Sequence, residues 1–425
     1  MIFNINFNNN FLFRAVFKFL GVFIMLTVSF FILLVPAESI AIFFLVRKVV
    51  YLFTPFFKTL FGGQYFFNLI LKENQKTFFY KHLGICLIGT FLFSFVIFLF
   101  WHVMESFNLI YITSDFIKIM SLFWFCSISI SFTFQHYFQV IRYDFLSGLS
   151  TGFIANLSIL FSVLFFYFNN LLNLENLIFC FSVGWILNLL VCFFFLVLLR
   201  EKGDKHLSTF NYSYIKDRKI LEESITSVIY NSPSLITLFI SIQFFDPNIT
   251  AVIGLSLYLI EFAGIIPYMY EQSIRIDFKK IIDRKSKLPS FYRNYRDNLF
   301  RIHVLTLAAS GFFIYLIIFF KNDLKDYFEV NLFISACCLF LIFLFFRTAT
   351  SIIIPRSQTL IHLAGYSRDA LKFTLISIFI MIILIFLLSF TGFFNPITLI
   401  IILSLIYFLI DFQYIKFLTN YGYSK

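Results

Sequence analysis

The stretch FLGVFIMLTVSFFILLVPAESIAIFFLVRKVVYL, residues 19–52, decides the fold. Two apolar runs flank one short turn, and the second run carries adjacent cations, Arg47 and Lys48, deep inside it. Each run, extended to its polar edges, reaches about the 20 residues needed to cross a hydrocarbon core of roughly 30 Å. The pattern continues along the chain. Helices are predicted over 12–35, 38–59, 83–104, 117–140, 145–168, 177–199, 225–245, 249–270, 299–320, 330–354, 371–391 and 397–416. A chain of 425 residues with 60% hydrophobic and 13% charged residues is too apolar for a water-soluble domain. The fold class expected is an all-α polytopic membrane protein, with about twelve helices in two six-helix bundles around a central cavity. The bundles are expected over 1–199 and 225–425, joined by a basic linker over 200–224.

The cations between these runs fix an expected orientation. With the amino terminus inside, 24 of the 33 Lys and Arg residues fall in cytoplasmic segments. Only Lys321 and Lys325 lie in an external loop, and Lys118 sits at an external helix edge. The positive-inside rule then places both termini in the cytoplasm. Topology and contact with anionic lipid account for the net charge of +11, so no nucleic-acid partner is required. Residues 61–76 and 276–288 read as interfacial helices, and Pro55 and Pro233 are expected to kink or break theirs. The 69 Phe residues are read as lipid-facing filler rather than binding platforms. Six scattered cysteines match no metal or redox spacing, and no cofactor is expected.

Six cations remain inside the predicted helices: Arg14, Lys18, Arg47, Lys48, Lys58 and Arg347. An ionised side chain in hydrocarbon needs water, a partner or a function. Lys58 is near an edge and can snorkel. Arg14 and Lys18 fit either snorkelling or phosphate contact. Arg47 and Lys48 stand near mid-membrane, where a polar cavity is the favoured reading. Glu261 can pair with Arg347, act as a protonatable coupling site, or line the cavity. The run Ser227, Tyr230, Asn231, Ser232 and Ser234 around Pro233 would be costly against lipid. Asn156, Asn188, Gln135 and His136 add polar groups that more often join helices than bind ligands. No zincin, nucleophile-elbow or Walker motif is present, so neither an enzyme site nor ATP hydrolysis is indicated.

Three segments carry a resemblance: residues 19–52, SFTFQHYFQVIRYDFLSGLSTGFIANLSILFSVL at 131–164, and SIIIPRSQTLIHLAGYSRDALKFTLISIFI at 351–380. With the helix count and the basic central loop, the chain resembles the polysaccharide-type (Wzx-like) flippases of the multidrug/oligosaccharidyl-lipid/polysaccharide exporter superfamily. PAESIAIFF departs from that family's pattern, standing where a Gly-rich external turn is common. The resemblance implies movement of a polyprenyl-diphosphate-linked oligosaccharide to the outer leaflet, for O-antigen or capsule assembly. It implies Arg14, Lys18, Arg47, Lys48, Asn156, Asn231 and Arg347 as substrate contacts and Glu261 as a coupling residue. Expected partners are that lipid-linked oligosaccharide and membrane lipids, with polymerase and chain-length proteins as further candidates, and a monomer is expected. Two alternatives stay open: a drug/cation antiporter of the same superfamily, and an inner-membrane polysaccharide polymerase. The polymerase is the poorer fit because the external loops are short.

Overall fold

The computed structural model describes residues 9–62, 75–106, 114–140, 144–198, 218–265, 267, 270–271, 274, 278, 288–325 and 329–423. The chain is an all-helical, multi-pass membrane protein. Nine of the helices among these residues are long and apolar enough to cross a membrane. Three shorter apolar helices, Val16–Ile32, Ile154–Phe168 and Pro247–Ala263, complete the set. All twelve expected spans therefore hold a helix. The chain divides into two compact units, Met1–Ser224 and Ile225–Lys425.

The first unit contains α1 (Asn9–Ile32), α2 (Ala37–Gly62), α3 (Gln75–Ser106) and α4 (Asp115–Val140). It continues with α5 (Asp144–Gly148), a π turn (Leu149–Phe153), α6 (Ile154–Phe168) and α7 (Leu174–Leu198). The central helix is α4, which packs on α2, α3 and α7. The π turn breaks one expected span in two. Gly152 there has φ +105°, and the Trp185 ring sits 2.9 Å from where a Cβ would stand. Only glycine meets both conditions without strain. Against the two pieces and the turn lies α1.

The second unit begins within α8 (Arg218–Phe244), which opens inside the stretch expected as linker, and goes on with α9 (Pro247–Ala263). Then come α10 (Leu288–Phe319), the short α11 (Lys321–Leu324), α12 (Val330–Ile353) and α13 (Gln358–Leu363). The last two are α14 (Ser367–Ser389) and α15 (Pro396–Tyr423). Here α12 packs on α9, α10 and α15, while α14 packs on α15. Asp246 caps α9 by accepting from the Ile249 N–H at 3.0 Å, with Pro247 in the first turn. Gly365, at φ +84°, ends α13. There the Tyr366 N–H donates to Ile361 O and the Gly365 N–H to His362 O, the paired bonds of a Schellman stop.

Several expectations are corrected. The helix predicted over 249–270 ends at Ala263, where Gly264 follows as a turn. The helix predicted from 299 begins at Leu288. Its first turns are too charged to register as apolar, yet they bury Tyr295 and Leu299. Neither Pro55 nor Pro233 interrupts its helix. The missing N–H of Pro233 frees the Ile229 carbonyl, and the Ser232 hydroxyl donates to it at 2.8 Å. Phe is not only lipid-facing filler: Phe43, Phe44, Phe57, Phe125, Phe134 and Phe138 are among the largest fully buried side chains. Others, such as Phe91, Phe168, Phe319 and Phe390, do point outward. Most of residues 61–76 and 276–288, expected as interfacial helices, lies outside the described residues.

Candidate functional site

Two polar interiors stand out, one in each unit. In the first, α2 presents Phe43, Arg47 and Tyr51 one turn apart, on the face that meets α4. Trp124 of α4 stacks on Phe43 at 6.3 Å and meets Tyr51 edge-on at 5.9 Å. Phe181 of α7 closes the cluster at 4.9 Å from Trp124. Arg47 lies over the Tyr51 ring, 4.6 Å from its centroid, a cation–π contact that offsets part of its desolvation. Arg47 and Lys48 are 5% and 4% exposed, so both cations are enclosed. Asn188 of α7 is fully enclosed, and neither of its amide atoms has a hydrogen-bond partner among the described residues. The same holds for the indole N–H groups of Trp124 and Trp185. This interior therefore offers hydrogen-bond donors and positive charge. At one end of the unit Lys118 of α4 donates to Glu105 of α3 at 2.7 Å and to Asp115 at 3.2 Å. That buried lysine is a clasp between two helices.

The second interior is a network of opposite charges. Arg347 of α12 donates through Nη2 to Asp411 of α15 at 2.5 Å. Asp411 is fully buried, and its Oδ1 also accepts from the Ser357 backbone N–H at 3.0 Å. Arg356, in the segment between α12 and α13, lies 3.3 Å from the buried Glu271 carboxylate. Its carbonyl accepts from the Tyr295 hydroxyl of α10. Tyr295 stacks on Tyr270, whose hydroxyl accepts from Asn298 at 2.9 Å. Burial raises the Tyr270 pKa against the opposing pull of that hydrogen bond. Two arginines and two acids thus pin the α12–α13 segment to α10, α15 and the chain beyond α9. Below it the buried His362 of α13 shares Nδ1 with the Ser367 hydroxyl at 3.0 Å, and burial pushes its pKa down to about 3.

The residues singled out from sequence fall into different places. Arg47 and Lys48 are both enclosed within the first unit. Lys18 is half-buried on α1, and the side chain of Arg14 lies outside those described. Asn156 donates to Gly21 O at 3.1 Å and joins α6 to α1. Asn231 donates to Ser227 O at 2.6 Å within its own helix. Arg347 is not paired with Glu261, as one sequence reading had it, but with Asp411. Glu261 is half-buried on α9, and its charge bears on Tyr407 of α15. Sequence reading missed Asp411, Glu271 and Arg356. The available signal for Asp411 was that it is the one acid in the last apolar run. Among the described residues no His, Cys, Asp or Glu cluster could hold a metal ion.

No family model matches the chain, and no curated protein matches it. Solved structures do. An outward-facing multidrug-resistance MATE family transporter of the MOP superfamily matches with a TM-score of 0.70 at 12% identity, covering 98% of this chain and 96% of its own. The lipid II flippase MurJ, in an inward closed conformation, matches at 0.62 with 14% identity, over 96% and 87%. A MOP superfamily transporter from Pyrococcus furiosus, described by a binding pocket of reversed polarity, matches at 0.64 with 9% identity, over 97% and 95%. Most of the other similar structures are MATE transporters. At these identities the likeness speaks to architecture, and the chain has the fold of the MOP-superfamily membrane transporters.

Proposed function

We propose that this protein is a transporter whose substrate carries an anionic head, and that the substrate is a polyprenyl-diphosphate-linked oligosaccharide moved to the outer leaflet. The observation that carries this reading is the enclosed cation pair Arg47 and Lys48. A diphosphate brings about two negative charges and many acceptor oxygens, which suit guanidinium, ammonium and buried N–H donors. Arg14, Lys18, Asn156, Asn231 and Arg347 are assigned as further substrate contacts, and Glu261 as the coupling residue. Both termini are placed in the cytoplasm of a bacterial inner membrane. Labelling a cysteine introduced at Lys285 from the inside only is the outcome that agrees with this orientation.

A second reading is drug/cation antiport, and the structural likenesses favour it by number, since most are MATE transporters. A cationic substrate requires acids to receive it. Yet Asp411 and Glu271, two buried acids of the second unit, are each held by an arginine. Neither of these two acids is therefore open to a cation. Reconstituted vesicles test the two directly. Flipping of a fluorescent polyprenyl diphosphate that is lost in Arg47→Ala/Lys48→Ala supports the first reading. Proton-driven ethidium uptake without diphosphate flipping supports the second and rejects the first.

A further inference from the structure

Asp411 has no solvent exposure, while the Arg347 side chain that holds it keeps 12%. The pair is thus approachable from the arginine side alone. The contact is monodentate, one guanidinium nitrogen to one carboxylate oxygen. A phosphate or sulfate engages a guanidinium through two parallel N–H donors and is the better partner by geometry. The charges of the network also cancel, with Arg347 and Arg356 against Asp411 and Glu271. An anion that takes Arg347 upsets this balance and strands a carboxylate away from water, which is strongly unfavourable unless a proton neutralises it. Neutral Asp411 keeps its place, because a carboxylic acid still accepts from the Ser357 N–H through its carbonyl oxygen.

We propose that Asp411 is an internal stand-in for the anionic group of the substrate at Arg347, and that an anion binds there together with one proton, which passes to Asp411. This rests on the anionic-substrate reading and names how the second unit serves it. Among the described residues the other positive charge near Asp411 is Arg356, which Glu271 already holds. Facing Asp411 are Arg347 of α12, Arg356 of the following segment, Tyr230 of α8, Tyr295 of α10 and Tyr414 of α15. The tyrosines are neutral near pH 7. His303 of α10 stands within reach of both arginines' charge, and Glu271 is held by Arg356. Asp411 is therefore where a compensating proton goes.

Calorimetry on the full-length protein in lipid nanodiscs tests this, with inorganic sulfate as the probe because sulfate does not titrate between pH 6 and 8. Titrations in buffers of different ionisation enthalpy count protons. About one proton taken up per sulfate bound is expected, with affinity rising up to tenfold for each pH unit of acidification. Arg347→Gln should abolish that proton uptake. Asp411→Asn should bind sulfate at pH 8 at least tenfold more tightly than the wild type and without pH dependence. Sulfate binding with no proton uptake, or uptake that persists in Arg347→Gln, overturns the inference and leaves the anionic reading standing. Absence of anion binding, together with absence of polyprenyl diphosphate flipping, overturns both.

Discussion

Arg347→Met removes the counter-charge of a carboxylate that has no access to water, and its cost follows from the geometry. Methionine fills much of the arginine volume, so the packing of α12 on α15 changes little. What changes is electrostatic: Asp411 keeps the Ser357 N–H at 3.0 Å but loses the guanidinium. Breaking an enclosed pair by removing one partner costs about 3–5 kcal/mol. For a unit the size of Ile225–Lys425 this lowers the melting temperature by roughly 10 °C, at about 2–4 °C per kcal/mol. The double variant Arg347→Met/Asp411→Asn should recover most of the loss, because the amide oxygen still accepts from Ser357 and no charge is left unpaired. Stepwise heating followed by fluorescence-detected size-exclusion chromatography ranks the three proteins. A single variant within 2 °C of the wild type, or a double variant no better than the single, would refute the claim that this pair is a buried charge balance.

Other perturbations read other parts of the molecule by the same assay. Gly152→Ala forces a side chain into φ +105° and against Trp185, and should cost about 1–3 kcal/mol; an unchanged melting temperature would mean that the turn relaxes freely. Lys118→Met removes the clasp but leaves Glu105 partly open to solvent, and should cost about 1 kcal/mol; an unchanged melting temperature would mean that the clasp does not stabilise the fold. His362, with its pKa held down to about 3 by burial, stays neutral in the folded chain while the unfolded chain protonates near pH 6.5. Stability should therefore fall as pH drops below about 6.5, by up to roughly 1.4 kcal/mol per unit from this residue. His362→Asn should flatten that acid limb, and a slope equal to the wild type's would reject His362 as its source.

The sequence made the number and placement of membrane helices legible because hydropathy is a local property. It also showed which cations were out of place, and Arg47 and Lys48 are indeed enclosed. Helix ends were harder. Leu288–Asn298 looked polar enough to be loop, yet Tyr295 and Leu299 lie on one face and continue the helix inward. Ion partners were harder still. Arg347 and Asp411 are 64 positions apart, and nothing in either helix's own periodicity distinguishes Asp411 from Glu261 as the acid it meets. Arg356 looked like one more loop cation, because its identity as a buried partner depends on Glu271 arriving from beyond α9. The Ser and Asn residues around Pro233 suggested a polar path; several of them bond within their own helix, where Pro233 leaves a carbonyl to satisfy.

The π turn at Leu149–Phe153 has a mechanical side. An unbroken helix transmits a push along its axis from end to end. This one is two rods, α5 and α6, meeting where the regular hydrogen-bond ladder lapses. A lateral load on α5 bends the joint at Gly152 before it displaces α6. Because α1 lies along both rods, it acts as a splint across that joint, with Asn156 as the pin that fastens it on the α6 side. Loosening the pin should make the joint more compliant without unfolding either rod.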